Sequence, residues 1–351
     1  MFSERLKRLK AYVPGEQPQD RRYIKLNTNE SPYPPTPLIR QALLDFDTDR
    51  LRLYPDPKAV GLRRRLAETC GVRESQVFVA NGSDEALSFC FYAFFDPGRG
   101  KLLFPEFTYS FYPVYCDFYG IVYDKVSLGP DYRLDLERFL GRESCGAIFA
   151  NPNAPTGIAL PAEEIGSFLA RYPRDRVVIV DEAYVDFGAE SAIPLLKKHP
   201  NLLVVRTFSK SMSLAGLRLG FVIANEPLIE GLFTVKDSFN SYPLDQFALY
   251  LGEAALADEA YYRSMREKIV RTRDRFCERL RRMGWTVLPT KTNFAFARKE
   301  GVAGGRVYDF LRGRGILVRH FAIPGIEDFV RITVGLEEDM ERLLQELSCL
   351  Q

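Results

Sequence analysis

Short apolar runs and helical patterns alternate along most of the chain. The runs at 77–80, 102–104, 122–126, 147–150, 177–180, 202–205 and 219–224 are mostly continuous rather than alternating. Continuous runs of that length suit strands buried on both faces. Helical spacing appears at 38–46, at 60–71 (Val60, Leu62, Leu66 and Ala67, with Gly71 as a stop) and at 86–95. Strand and helix taking turns predict an α/β fold with a mainly parallel, seven-stranded sheet flanked by helices. The pattern changes after Asn225. One long helical stretch is expected from 246 to about 283, then a smaller α+β unit with strands at 285–288, 294–297, 316–318 and 330–334 and a last helix at 337–350. The expected division is an N-terminal arm (1–26, containing Tyr12-Val13-Pro14-Gly15), a large domain (27–239) and a small C-terminal domain (240–351).

The polar residues are placed as regularly as the apolar ones. Asn81-Gly82-Ser83, Asn153, Asp181 with Tyr184, and Thr207 with Lys210 each follow directly on a strand. In a parallel sheet those ends share one edge, where ligands sit in open α/β folds. Gly82-Ser83 opening a helix is either a phosphate cup or an ordinary start capped by Ser83 or Asp84. The Asn- and Pro-rich segment at 25–37 is a loop, and an X-Pro bond in the Asn151–Gly157 stretch is a candidate for cis. Lys210 lies among Thr207, Ser209, Ser211 and Ser213, with Arg218 eight residues on. Alone it reads equally as a solvated loop residue or as a Schiff-base former. Arg331 stands inside a strand and Arg319 at the end of another, so each must meet an anion or point outward.

Composition narrows the partners. A chain of 351 residues with 46% hydrophobic and 27% charged residues can bury a large core in water. Its formal charge of +2 gives no basic field for nucleic acid. The N-terminus is charged throughout, unlike a secretion signal, and the longest apolar run, 89–95, is too short to cross a bilayer. Six scattered cysteines without a CxxC suit free thiols in the reducing cytoplasm. Two histidines at no ligand spacing suggest no metal.

Taken in order, Asn81–Glu85, NPNAPTG (Asn151–Gly157), DEAY (Asp181–Tyr184), TFSKS with Arg218, and FVRITVG (Phe329–Gly335) resemble the fold-type I pyridoxal-phosphate-dependent aminotransferases. KLNTNESPY, RLYPDP, TYSFY, DSFNSYPLD and ILVRHF are similar to its histidinol-phosphate aminotransferase branch. The resemblance implies pyridoxal 5'-phosphate as cofactor and ping-pong transfer from L-glutamate to imidazole acetol phosphate, in L-histidine biosynthesis. It implies roles by position. Lys210 forms the internal aldimine and moves the proton, Asp181 pairs with the pyridinium, and Tyr184 bonds the phenolic oxygen. Gly82, Ser83, Thr207, Ser209 and Arg218 hold the phosphate, Asp84 is a further cofactor-binding residue, and Tyr109 stacks on the ring. Tyr54 reaches the cofactor of a neighbouring subunit, which implies a homodimer with shared sites. Arg331, Arg319, Tyr12 and Asn29 bind the substrates. Ala154 stands where many members have an asparagine that contacts the phenolic oxygen, so either Asn153 takes that place or Tyr184 works alone. A threonine-phosphate decarboxylase or an aromatic amino-acid aminotransferase shares the same anchors. A non-catalytic phosphate- or nucleotide-binding protein fits less well, for lack of GxGxxG or GxxxxGK[ST].

Overall fold

The computed structural model describes residues 1–13 and 15–350; Pro14, which the sequence places in the arm, and Gln351 lie outside the described residues. After α1 (Glu4–Arg8) and the short strand β1 (Ile24–Lys25) come the helices α2 (Pro37–Asp45) and α3 (Val60–Cys70). The large sheet then follows: β2 (Val77–Ala80), β3 (Leu102–Pro105), β4 (Tyr123–Val126), β5 (Gly146–Ala150), β6 (Val177–Asp181), β7 (Leu202–Thr207) and β8 (Gly220–Ala224). Its order is β2-β8-β7-β6-β5-β3-β4.

Successive residues of these strands bury against opposite layers. Val178, Val180 and Val204 pack in one core with Leu62 and Leu66 of α3 and with Ile165 and Phe168 of α6 (Ala162–Arg171). Ile179, Leu203 and Val205 pack in the other. That layer is built from α4 (Gly82–Phe94), α5 (Tyr112–Tyr119) and α7 (Glu226–Phe239). Apolar burial on both faces explains why the strands read as unbroken runs. Each such side chain adds about 1.5–3 kcal/mol of transfer free energy.

Strand direction creates the site. β3 to β7 run parallel, whereas β8 is antiparallel to both β7 and β2. The C-terminal ends of β2, β3, β5, β6 and β7 therefore share one edge, and β8 begins there. Gly220 is the register partner of Ala80 on one side and Thr207 on the other. The reversal brings Arg218, two residues before Gly220, to the same edge.

The expected helix over 246–283 is two helices, α8 (Gln246–Leu256) and α9 (Glu259–Arg282). Asp258 separates them because its carboxylate accepts the Tyr261 N–H at 3.2 Å and so starts a new helix. Leu244, Ala248 and Leu251 pack in the core of the large sheet beside Leu62, so that core extends past residue 240. Along α9 the partners change, from Tyr262 in that core to Phe276 and Leu280 in the smaller one. The smaller unit holds β9 (Trp285–Val287), β10 (Phe294–Lys299), α10 (Gly304–Gly313), β11 (Ile316–Leu317), β12 (Arg319–His320), β13 (Val330–Thr333) and α11 (Glu337–Ser348). Its antiparallel sheet has the order β12-β13-β10-β9, and β11 pairs with β1 in parallel.

Candidate active site

Two adjoining cavities open at the shared edge. The inner one, about 180 Å³, is lined by Ser83, Asp181, Thr207 and Ser209. The outer one, about 450 Å³, is lined by Tyr12, Asn29, Arg319 and Arg331. Asp84, Tyr109, Ala154, Tyr184, Lys210 and Arg218 border both. The Lys210 Nζ lies 3.3 Å from the Thr28 carbonyl oxygen and 5.8 Å from the centre of the Tyr184 ring.

Asp181 closes the floor of the inner cavity. One carboxylate oxygen accepts the Tyr112 hydroxyl at 2.9 Å and the other accepts the Ala183 N–H at 3.1 Å. Burial pushes its pKa up to about 6 even with both donors in place. A buried carboxylate in that condition gains most from a cationic partner. The sequence reading missed Tyr112. Its ring is fully buried, and burial together with the Asp181 charge holds its proton well above the ordinary phenol range. Five aromatic rings crowd 107–115, and nothing in their spacing says which hydroxyl meets the carboxylate. Tyr109, three residues earlier, donates to Asp84 at 2.8 Å, and Asp84 also accepts from Arg218 at 3.3 Å.

The opposite end of the inner cavity is built for an anion. The α4 helix starts at Gly82, with no side-chain cap, so neither Ser83 nor Asp84 serves as the expected cap. Glu85 instead accepts the Asn81 N–H at 2.7 Å. Gly82 has φ +85°, and a Cβ there would come within 2.7 Å of the Arg218 guanidinium. A Cβ on Gly220 would stand 2.3 Å from the Ser83 nitrogen. Thr207 accepts the Ser209 N–H at 3.1 Å. Arg218 itself is left-handed at φ 55°, a conformation that costs an arginine about 1–2 kcal/mol. Amides, hydroxyls and a guanidinium at one end, a carboxylate at the other and a lysine between them fit a flat molecule carrying a phosphate and a basic ring nitrogen. Pyridoxal phosphate has that form.

The residues expected beside the phenolic oxygen are divided differently. Asn29 donates through Nδ2 to the Tyr184 hydroxyl oxygen at 2.8 Å while bordering the outer cavity. Asn153 borders neither cavity. Its Nδ2 donates to the Phe107 carbonyl (2.8 Å) and to Thr156 Oγ1 (3.1 Å), and its Oδ1 accepts from Thr108 (2.9 Å). The Asn153 amide is thus consumed in bracing the loop, which contains cis bonds at Asn151-Pro152 and Ala154-Pro155.

In the outer cavity, Arg331 donates through Nη2 to the Asn27 carbonyl at 3.1 Å, and its Nε is buried with no acceptor among the described residues. Its guanidinium carbon lies 5.4 Å from the Phe294 ring and 5.5 Å from the Phe321 ring. Burial lowers its pKa and the neighbouring Arg319 charge adds to that. Arg319 is its register partner across β12 and β13 and donates to the Val13 carbonyl at 3.4 Å. The Tyr12 ring packs on Phe111, with centroids 4.8 Å apart. A desolvated cation with an unmet N–H bordering a cavity is a receptor for a carboxylate or a phosphate. Tyr54 is away from both cavities, 80% exposed, with its ring stacked on Tyr242 at 4.6 Å.

The sequence profile of the family described as aminotransferase class I and II matches residues 21–347. A relative from Syntrophus aciditrophicus named histidinol-phosphate aminotransferase is 56% identical over 353 aligned residues, covering 100% of this chain and 98% of the relative. The chain belongs to the class I and II aminotransferases. The fold of this aminotransferase agrees with that assignment. The histidinol-phosphate aminotransferase of Sinorhizobium meliloti, solved in complex with pyridoxal-5'-phosphate, superposes with a TM-score of 0.89 at 24% identity, over 100% of this chain and 98% of that one. The L-threonine-O-3-phosphate decarboxylase of Porphyromonas gingivalis gives 0.80 at 23% identity, over 93% of this chain and 98% of that one. Shape alone therefore does not choose among the reactions open to an aminotransferase of this fold.

Proposed function

We propose that the chain is a histidinol-phosphate aminotransferase. It transfers the amino group of L-glutamate to imidazole acetol phosphate, giving 2-oxoglutarate and L-histidinol phosphate, in L-histidine biosynthesis. The observation that carries this reading is Arg331, half-buried beside the lysine cavity with a buried Nε–H that has no partner among the described residues, in a chain 56% identical along its length to a protein of that name. One substrate presents a carboxylate and the other a phosphate. A guanidinium accepts either in the same fork, which suits two half-reactions run in one pocket.

Pyridoxal 5'-phosphate supplies an electron sink and carries the amino group. The chain's own groups do the rest. Lys210 holds the cofactor and moves the proton. Asp181, kept in line by Tyr112, pairs with the ring nitrogen. Gly82, Ser83, Ser209 and Arg218 hold the phosphate with Thr207 bracing Ser209, Tyr109 covers the ring, and Tyr184 donates to the phenolic oxygen. Arg331, Arg319 and Tyr12 receive the substrate anion.

The reading extends to a cytoplasmic homodimer. Support for the dimer comes from the exposure of Tyr54, Leu44, Leu53 and Phe239, and from the absence of Tyr54 from its own chain's cavities. Tyr54 then serves the cofactor phosphate of the partner. Six unpaired thiols suit a reducing compartment. The arm borders the outer cavity through Tyr12, and the reading takes α9 as the link between the large and small units, because its buried residues pass from the larger core to the smaller one.

The test is direct. The purified protein should be yellow, and borohydride should fix the cofactor on Lys210. Turnover with glutamate should be far faster on imidazole acetol phosphate than on phenylpyruvate, without CO₂ release from threonine phosphate. A colourless protein sinks the cofactor reading. Equal rates on the two keto substrates sink the specific one.

A further inference from the structure

Asn29 is more firmly fixed than a surface contact for substrate needs to be. It is 1% exposed and left-handed at φ 57°. Its backbone N–H donates to Thr333 Oγ1 at 3.0 Å, and its carbonyl accepts from Asn293 Nδ2 at 3.0 Å. Its Oδ1 accepts the Thr333 hydroxyl at 3.0 Å, and its Nδ2 donates to the Tyr184 oxygen at 2.8 Å. These bonds settle which way the amide faces. Turned over, it would leave the Thr333 proton buried with no acceptor.

The consequence falls on Tyr184. A phenol oxygen that accepts an N–H keeps its own proton to give, and an accepted bond strengthens the one it donates. Tyr184 borders both cavities beside Lys210. The loop at 153–154 offers it no amide, since Ala154 carries only a methyl and the Asn153 amide is spent elsewhere. We propose that Asn29 is a positioning residue that acts through Tyr184, fixing its hydroxyl as the donor to the cofactor's phenolic oxygen. The inference rests on the proposed reading of Tyr184 and goes beyond the substrate contact expected of Asn29. The network also joins the reacting centre to the small unit, because Thr333 lies on β13, two residues from Arg331.

A donor on the phenolic oxygen offsets its negative charge. Weakening that donor makes the oxygen hold the proton shared with Lys210 more tightly, and the pH midpoint of the bound cofactor's visible band rises. The experiment titrates that band in the loaded wild-type enzyme and in Asn29→Gly, Asn29→Asp, Tyr184→Phe and the Asn29→Gly/Tyr184→Phe double variant. Glycine keeps the left-handed backbone without strain. Asn29→Gly should raise the midpoint by about half a unit to one unit, and Asn29→Asp, which turns the partner into an acceptor, by more. In the Tyr184→Phe background Asn29→Gly should add almost nothing. Thr333→Val, which frees the amide, should shift the midpoint the same way and serves if Asn29→Gly does not fold. An Asn29→Gly shift that persists undiminished in Tyr184→Phe overturns the inference alone, since the amide would then act without the phenol. A midpoint unmoved by Tyr184→Phe overturns the reading of Tyr184 on which it stands.

Discussion

Asp181→Asn should make the cofactor-free protein more stable while disabling the enzyme. The Asp181 carboxyl titrates at about 6 in the fold against an ordinary value of 3.8, chiefly because it is buried. A carboxyl that is harder to ionise when folded weakens the fold wherever the unfolded chain is ionised. The cost is absent below about pH 4, grows as pH rises towards 6, and is complete above it. About two units correspond to about 3 kcal/mol. Asparagine carries no charge, so it escapes that cost. It turns an NH₂ group towards one of the two donors, Tyr112 or Ala183, which returns about 1 kcal/mol at every pH. Urea unfolding of cofactor-free wild type and variant from pH 4.5 to 8 should therefore show a gap widening by about 2 kcal/mol in favour of the variant. Loaded with pyridoxal phosphate, the wild type gains a cation beside Asp181 and the gap should close. The variant's amino-transfer half-reaction should be slower by roughly 10²- to 10³-fold. A variant less stable than wild type at pH 8, or a gap that does not change with pH, would refute the reasoning.

Three other outcomes follow from the geometry. Arg331→Lys replaces a fork by a point charge and should lower kcat/KM by about 1.5–3 kcal/mol, roughly 10- to 150-fold, for glutamate and for imidazole acetol phosphate alike; loss on one substrate only would break the shared-pocket reading. Mixing Lys210→Ala subunits with Tyr54→Ala subunits should restore about a quarter of wild-type activity, because half the dimers are mixed and each has one intact site; no recovery would mean that Tyr54 does not act across the dimer. Gly220→Ala puts a Cβ 2.3 Å from the Ser83 nitrogen and 2.4 Å from the Gly82 carbonyl carbon, so backbone must move. Cofactor titration should show at least about tenfold weaker binding and unfolding a loss of about 1–3 kcal/mol, whereas unchanged affinity would remove the cup from the site.

Legibility from sequence depended on whether a signal was local. Strands such as Val177–Asp181 are legible because burial on both faces leaves an unbroken apolar run, and the polar groups that follow them gather as the parallel arrangement requires. The reversal of β8 is not local. Gly220–Ala224 is as apolar as its parallel neighbours, and only pairing with β2 and β7 fixes its direction. Side-chain partners over long separations were hidden for the same reason. Tyr112 meets Asp181 across 69 positions and Asn29 meets Tyr184 across 155. Asn153 shows the converse, since its partners at Phe107, Thr108 and Thr156 turn a residue with site-like surroundings in sequence into a brace.

The reversed strand has one more consequence. The connection 208–219 leaves the sheet at Thr207 and returns at Gly220, and these two residues are already paired there. It is a loop with both feet pinned, and Ser209, Lys210 and Arg218 all lie on it. A cofactor joined to the lysine and gripped near both feet acts as a rivet through that loop, removing the local opening a protease needs. Resistance to nicking between Phe208 and Leu219 should therefore track occupancy, so that the segment proposed to do the chemistry would also record whether the enzyme is charged.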